Sequence, residues 1–326
     1  MSLTNWRSIG TAAFDYSQQL DGFVNALADW VECQAIAKLT FGCDKTTLIS
    51  ALRIDVWKSP ATDIKITHDE LAEDVFIELA DRWTNYRNHG YPFECDYAGR
   101  RLKFTNTDPW PYVLLLALSY HNPSFKPAAN LPTGAHMLEA LSWVGVNRFL
   151  GEPAPELAHL GACHHFGTPS LSKLPSDFCD KIDRIAAEFN EGGKYKPLAS
   201  GHRQKSGDDG VDVLLRRGFP DSRGAQFLLF GGCAGGEKWS STKHYEVDPD
   251  TWLEVNFQER FSGLRGMARC YFIPRQIDTD GWLALSKAAG MIFDRCRLAL
   301  ITHKSGSAVL GVAKAWTEAL CGKAFK

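Results

Sequence analysis

The residues best equipped for chemistry lie between Lys205 and Lys243. Lys205-Ser206-Gly207-Asp208-Asp209-Gly210-Val211-Asp212 is a polar stretch, rich in glycine and acid, that runs into an apolar strand predicted over Val211 to Leu215. Asp212 stands at the mouth of that strand. A carboxylate there is costly unless a cation or a donor partners it. A divalent metal is one such partner, because hard cations take carboxylate oxygens. A second predicted strand, Gln226 to Phe230, follows a turn containing Pro220, Asp221 and Gly224. It leads into Gly231-Gly232-Cys233-Ala234-Gly235-Gly236 and then Glu237, Lys238, Trp239 and Lys243. Acids on two adjacent strands suit metal-assisted phosphodiester hydrolysis, in which bound metal activates water and neutralises charge on the phosphate. A lysine beside them orients the water or stabilises the charged transition state.

A third acid comes from a helix. Thr133 is placed to cap a helix over about 134 to 150, and Glu139 interrupts its apolar run Met137 to Val144. Glu139 shares a stripe with Trp143, Val146 and Leu150 at helical spacing. It either points towards a sheet or sits at the solvent edge of a core helix.

Together these residues resemble the PD-(D/E)xK nuclease superfamily, whose pattern runs from a helical Glu to a G-x-D strand and then to a strand bearing (E/Q)-x-K. Asp209-Gly210-Val211-Asp212 matches the second element. The resemblance covers residues 131–245. It implies a restriction-endonuclease-like mixed central sheet flanked by helices, and an endonuclease that hydrolyses DNA with Mg²⁺ or Mn²⁺ in bacterial restriction or phage defence. Asp212 and Glu237 would be metal ligands, with Asp209 in reserve, Glu139 as a further ligand or orienter, and Lys243 assisting the water. DNA would be the partner, together with other subunits of a defence system or a second copy of the chain. The third element departs from the pattern: by strand register its acid and lysine slots fall at Gly232 and Ala234. A degenerate, non-cutting nucleic-acid-binding subunit is therefore the alternative.

Other readings compete. Gly231-Gly232-Cys233-Ala234-Gly235 fits G-x-C-x-G after a strand, the shape of an α/β-hydrolase elbow with Cys233 as nucleophile. Asp248, Asp250, Asp280 or Asp294 and then His303 would complete its order. The elbow needs a helix directly after the nucleophile to lower the thiol pKa. The glycine loop lacks a G-K-[ST] ending, so it is not a P-loop. Arg216, Arg217, Lys238 and Trp239 are candidates for nucleic-acid contact, the cations with phosphates and the indole stacked on a base. Arg216 and Arg217 read equally as hairpin surface charges. Cys163-His164-His165, with Cys179 nearest, falls short of a zinc pattern of about four ligands and reads as a buried cysteine beside loop histidines.

The elements that must position these residues are legible in outline. Apolar spacing predicts one or two helices over 12–40. Thr67-His68-Asp69-Glu70 is a capping box that opens an amphipathic helix over 68–87. A hairpin is expected around Tyr97-Ala98-Gly99-Arg100, then helix from Pro111 to Ser119. Residues 122–133, rich in Pro and Asn, read as a linker between a mainly helical region, 1–128, and an α/β (α+β) unit, 129–326. In that unit a helix spans Phe178 to Phe189. Ala268 to Ile273 is a strand, 280–293 a helix, Arg297 to Thr302 a strand, and Val309 to about Leu320 a helix.

Bulk properties bound the class. Apolar residues are 44% of the 326 and charged residues 23%, which suits a globular fold. The net charge of -2 advertises no global basic field, although a cleft can hold positive charge locally. Nine cysteines without a CxxC pair, and no apparent signal peptide, suggest reduced thiols in the cytoplasm. The longest apolar run, Tyr112 to Leu118, is too short to span a membrane.

Overall fold

The computed structural model describes residues 20–38, 41–53, 67–105, 110–151, 161–166, 171–197, 210–219, 221, 223–236, 239, 247–262, 267–277, 279–304, 306 and 308–321. The first elements are α1 (Leu20–Ala37), β1 (Cys43–Asp44), α2 (Lys45–Arg53), α3 (His68–Tyr86), β2 (Phe93–Asp96), β3 (Arg101–Phe104) and α4 (Trp110–Leu118). Then come α5 (Gly134–Phe149), β4 (Gly161–His165), α6 (Phe178–Phe189), β5 (Val213–Arg217), β6 (Phe227–Cys233) and α7 (Pro249–Asn256). The chain continues with β7 (Met267–Phe272), α8 (Thr279–Ala289), β8 (Met291–Phe293), α9 (Arg295–Thr302) and α10 (Ala308–Cys321).

The fold is α/β, with a helical stretch before the first strands and a central mixed sheet flanked by helices. The sheet order is β4-β5-β6-β7-β8. β5 runs antiparallel to β4 and β6, while β6, β7 and β8 are parallel. The two parallel steps follow from α7 and α8, since a parallel return needs a long crossover. β1, β3 and β2 form a small antiparallel sheet apart from it.

Period-two alternation divides the central strands between two faces. Val213 and Leu215 of β5, with Leu229 and Cys233 of β6, pack on the face covered by α5. Leu214, Leu228 and Phe230 point to the opposite face, where α6 and α7 bury Ile182, Ile185 and Trp252. A third cluster lies under α8 and takes in Ala234, Tyr271 and Ile292.

Side-chain caps start the helices where the sequence places them. Thr67 accepts from the Glu70 amide while Glu70 answers at the Thr67 amide. Thr133 accepts from the His136 amide, and Asp177 caps α6. Two elements differ from expectation. Arg297 to Thr302 lies within helix α9, whose first turn Asp294 caps, and the strand of this region is β8, inside the stretch expected to be helix. A short apolar run such as Leu298 to Ile301 does not by itself distinguish strand from helix. β4 was not foreseen at all.

The division at 128/129 does not coincide with a break in the core. One apolar cluster runs from Leu27 and Val31 in α1 through Val75 in α3 and Leu114 in α4 to Leu229 in the sheet and Trp316 in α10. Residues 122–133 carry part of this packing. Phe125 meets Trp316 edge-on at 5.9 Å, and the Pro132 carbonyl accepts from the Trp316 indole at 3.1 Å.

A buried charge network crosses the same boundary. Arg82 donates to Asp29 at 2.8 Å and to Glu32 at 2.9 Å. Arg295 donates to both oxygens of Asp29. The hydroxyls of Tyr91 and Tyr112 donate to Glu32 at 2.9 and 2.8 Å. Burial would raise the Asp29 carboxyl, but Arg295 and Arg82 outweigh it and hold it below its ordinary range.

Candidate metal centre

His136 and Glu139 stand three residues apart on α5, so they share one helical face. His165 ends β4, on the strand beneath. Alternation along β4 sends Cys163 and His165 towards α5 and His164 towards α6. Two bonds lock helix to strand: the Trp143 indole donates to the Cys163 carbonyl at 2.7 Å, and the Cys163 thiol donates to the Trp143 carbonyl at 3.7 Å. With the helix seated, Glu139 Oε2 lies 3.0 Å from His165 Nε2, and the rings of His136 and His165 meet edge-on at 5.2 Å. One donor atom from each of His136, Glu139 and His165 falls within 4.8 Å of the others. The cluster is capable in principle of coordinating a divalent metal.

Two neighbours fix His165 from behind. The Leu171 amide donates to His165 Nδ1 at 3.2 Å, the His165 amide donates to Ser172 Oγ at 2.8 Å. With Nδ1 accepting, the neutral ring carries its proton on Nε2 and donates it to Glu139. Burial, and next the neighbouring His165, hold His136 below the ordinary histidine range, against the pull of Glu139. A neutral imidazole is the form that binds metal.

Asp212 precedes Val213, the residue paired with His165 across β4 and β5. Its amide donates to the Gly231 carbonyl and its carbonyl accepts from the Phe166 amide, so the backbone is held between β4 and β6. Asp212 Oδ2 accepts from the Cys233 amide at 2.6 Å. Burial pushes the Cys233 thiol well up, and the carboxylates of Asp212 and then Glu139 push it further. The charges of Glu139 and Asp212 thus both reach one thiol at the end of β6.

No family model, curated protein or solved structure matches the chain.

Gly232 and Ala234, where the sequence reading put the acid and lysine slots, both face away from Glu139. Gly232 faces the α7 side, where an added Cβ would lie 2.7 Å from Val247, and Ala234 packs in the cluster under α8. The positions that share a face with Glu139 are Cys233 and Gly235, the latter with room for a Cβ 3.7 Å from Leu138. A slip of one residue moves every side chain to the other face.

Other expected residues divide sharply. Asp209, Glu237, Lys238 and Lys243 lie outside the described residues. Arg216 is buried on the α6 face, donates to the Glu188 carbonyl and lies over the Phe189 ring at 5.3 Å. Arg217 donates to Asn147 at 3.2 Å and to the Gly151 carbonyl at 2.7 Å. Both arginines stand at the far end of β5 from Asp212, held by these partners. Trp239 packs against the cluster under α8, and its carbonyl accepts from Tyr271 at 2.6 Å.

The hydrolase alternative finds little support among the described residues. Ala234 to Gly236 is not helical, and burial drives the Cys233 thiol up where a nucleophile needs it lowered. His303 packs instead against Gly90. No disulfide links the described cysteines. Among the described residues no helix is long and apolar enough to cross a membrane.

His136 was missed in the sequence, and His165 was set aside with Cys163 and His164. The signal available was His136-x-x-Glu139 on a capped helix, which is a two-ligand spacing.

Proposed function

We propose that this protein is a metal-dependent phosphodiesterase acting on DNA. One observation carries the reading: His136 and Glu139 from a helix and His165 from a strand end converge with one donor atom each within 4.8 Å, while Asp212 is bonded to the Cys233 amide at the mouth of the neighbouring strand. The succession of a Glu-bearing helix, an antiparallel β5–β6 pair and a parallel β7 supports the resemblance to PD-(D/E)xK nucleases.

A bound divalent metal would supply Lewis acidity and an activated water. Glu139, with His136 and His165, would hold it and fix its position relative to the phosphate. Asp212 would help to orient the attacking water. The rigid backbone pairing of Asp212 limits reorganisation as charge develops.

The test is cleavage of single- and double-stranded DNA by the purified chain with Mn²⁺, Mg²⁺ or Zn²⁺. Asp212→Asn and Glu139→Gln are each expected to lower the rate by about a thousandfold or more, in line with the loss of a main electrostatic contributor, while circular dichroism stays unchanged. Wild-type protein that cuts neither DNA nor RNA would sink the enzymatic reading. The non-cutting nucleic-acid-binding subunit is the second reading, favoured by Cys233 and Gly235 standing where acid and lysine are expected. Undiminished DNA binding without cleavage would select it.

A further inference from the structure

The resemblance to PD-(D/E)xK nucleases implies Mg²⁺, and the donor set argues against it. Mg²⁺ demands near-ideal octahedral oxygen coordination and dehydrates reluctantly. Around Glu139 the close donors are two imidazoles and one carboxylate. Imidazole suits zinc, iron, nickel and copper, and a mixed nitrogen and oxygen set binds them with the affinity order of the first-row transition metals.

We propose that His136, Glu139 and His165 form a site for a first-row transition-metal dication that discriminates against Mg²⁺. The inference deepens the metal-dependent reading above, but the site itself stands on geometry. The three donors come from two elements fastened together by the Trp143–Cys163 bonds, so the pocket is built before any ion arrives. His165 is fully buried, and its ring orientation is set by Leu171 and Glu139 from opposite ends. His136 and Glu139 are half-buried, leaving an approach from solvent.

Binding carries a proton requirement. His165 Nε2 must lose its hydrogen to ligate, and that proton moves to Nδ1, so the ring stays neutral and the Leu171 amide loses its acceptor. The balance needs no co-reactant. Metal binding should therefore register at Leu171 as well as at the ligands, since a ligating histidine ordinarily donates through its other nitrogen.

The experiment uses the full chain stripped with chelator and titrated with Co²⁺, read by visible absorption and calorimetry. One tight Co²⁺ equivalent with ligand-field bands is expected, displaced by Zn²⁺ and not by millimolar Mg²⁺. His136→Ala should weaken Co²⁺ by about a hundredfold or more, because even outer partners of ligands cost 10- to 100-fold, and Glu139→Gln should do likewise. His136 is half-exposed, so its replacement tests ligation without emptying the core. In amide exchange, Co²⁺ should alter protection at Leu171. Failure of Co²⁺ to bind, equal affinity in the His136→Ala protein, or displacement by Mg²⁺ would overturn the proposal. Tight Co²⁺ without nuclease activity would leave the site standing and count against the phosphodiesterase. Cleavage with Mg²⁺ that is indifferent to His136→Ala would do the reverse.

Discussion

His164 and His165 are neighbours in the chain and strangers in space. His165 turns towards α5 and Glu139, whereas His164 turns towards α6, with its Nε2 2.8 Å from Glu188. The imidazole beside Glu188 holds that carboxyl down to about 2, helped by Arg184 and opposed by burial. Because the folded value lies below the ordinary 4.5, the stabilisation is present above pH 4.5 and disappears as the pH falls from there to about 2. Glu188→Gln should therefore lower the urea midpoint at neutral pH, with the gap to wild type closing across that acid window. A gap that is constant with pH would show that Glu188 contributes packing and no charge interaction. Only the strand explains why the two histidines differ, and that strand is what the sequence leaves dark. Gly161-Ala162-Cys163-His164-His165 has no alternation of apolar and polar types, so nothing in it announces period two.

At the scale of elements, α5 is the piece on which the site turns. Its first turn holds His136, its second Glu139, and the cap Thr133 accepts from the amide of His136 itself at 3.2 Å. Thr133→Ala should cost about 1 kcal/mol of stability, the usual toll of a lost cap, and should weaken Co²⁺ binding through fraying at His136. Thr133→Ser should restore both, because either hydroxyl accepts the same bond. If stability drops while metal affinity is untouched, the first turn does not position the ligand. Caps of this kind were the most legible features of the sequence: Thr67, Thr133 and the helix over 178–189 all fall where type and spacing put them. Glu139, one of the three donors, was also legible as an acid in apolar surroundings. The registers were less so. Strand pairing determines whether Gly232 or Cys233 faces α5, and apolar residues on both sides of β6 erase the alternation that would have revealed it. The reading of Arg297 to Thr302 as a strand failed for a related reason: the run is too short for its period to show, and Asp294, which caps α9, was weighed as a catalytic acid.

Across the whole molecule, the helical layer and the sheet share one core and one buried charge network. Arg295, at the start of α9, reaches Asp29 in α1, and α10 closes over α4 through Trp316, itself fully buried. A chain cut at 128/129 would leave α9 and α10 with an uncovered apolar face and Arg295 without its carboxylate. A fragment 129–326 is therefore expected to be insoluble or to lack a cooperative melting transition, whereas the full chain melts in one step by both far-ultraviolet circular dichroism and tryptophan fluorescence. The charge network sharpens the expectation. Removing one partner of a buried pair leaves the other uncompensated and costs about 3–5 kcal/mol, so Arg295→Met should lower the single transition as a whole without splitting it. Two separated transitions in that variant, or a well-folded fragment 129–326, would mean that the layers fold independently and that the sheet alone carries the metal site. The coupled outcome would instead make the N-terminal helices a structural requirement of the site, since α9 packs on α5 and α5 carries two of the three ligands.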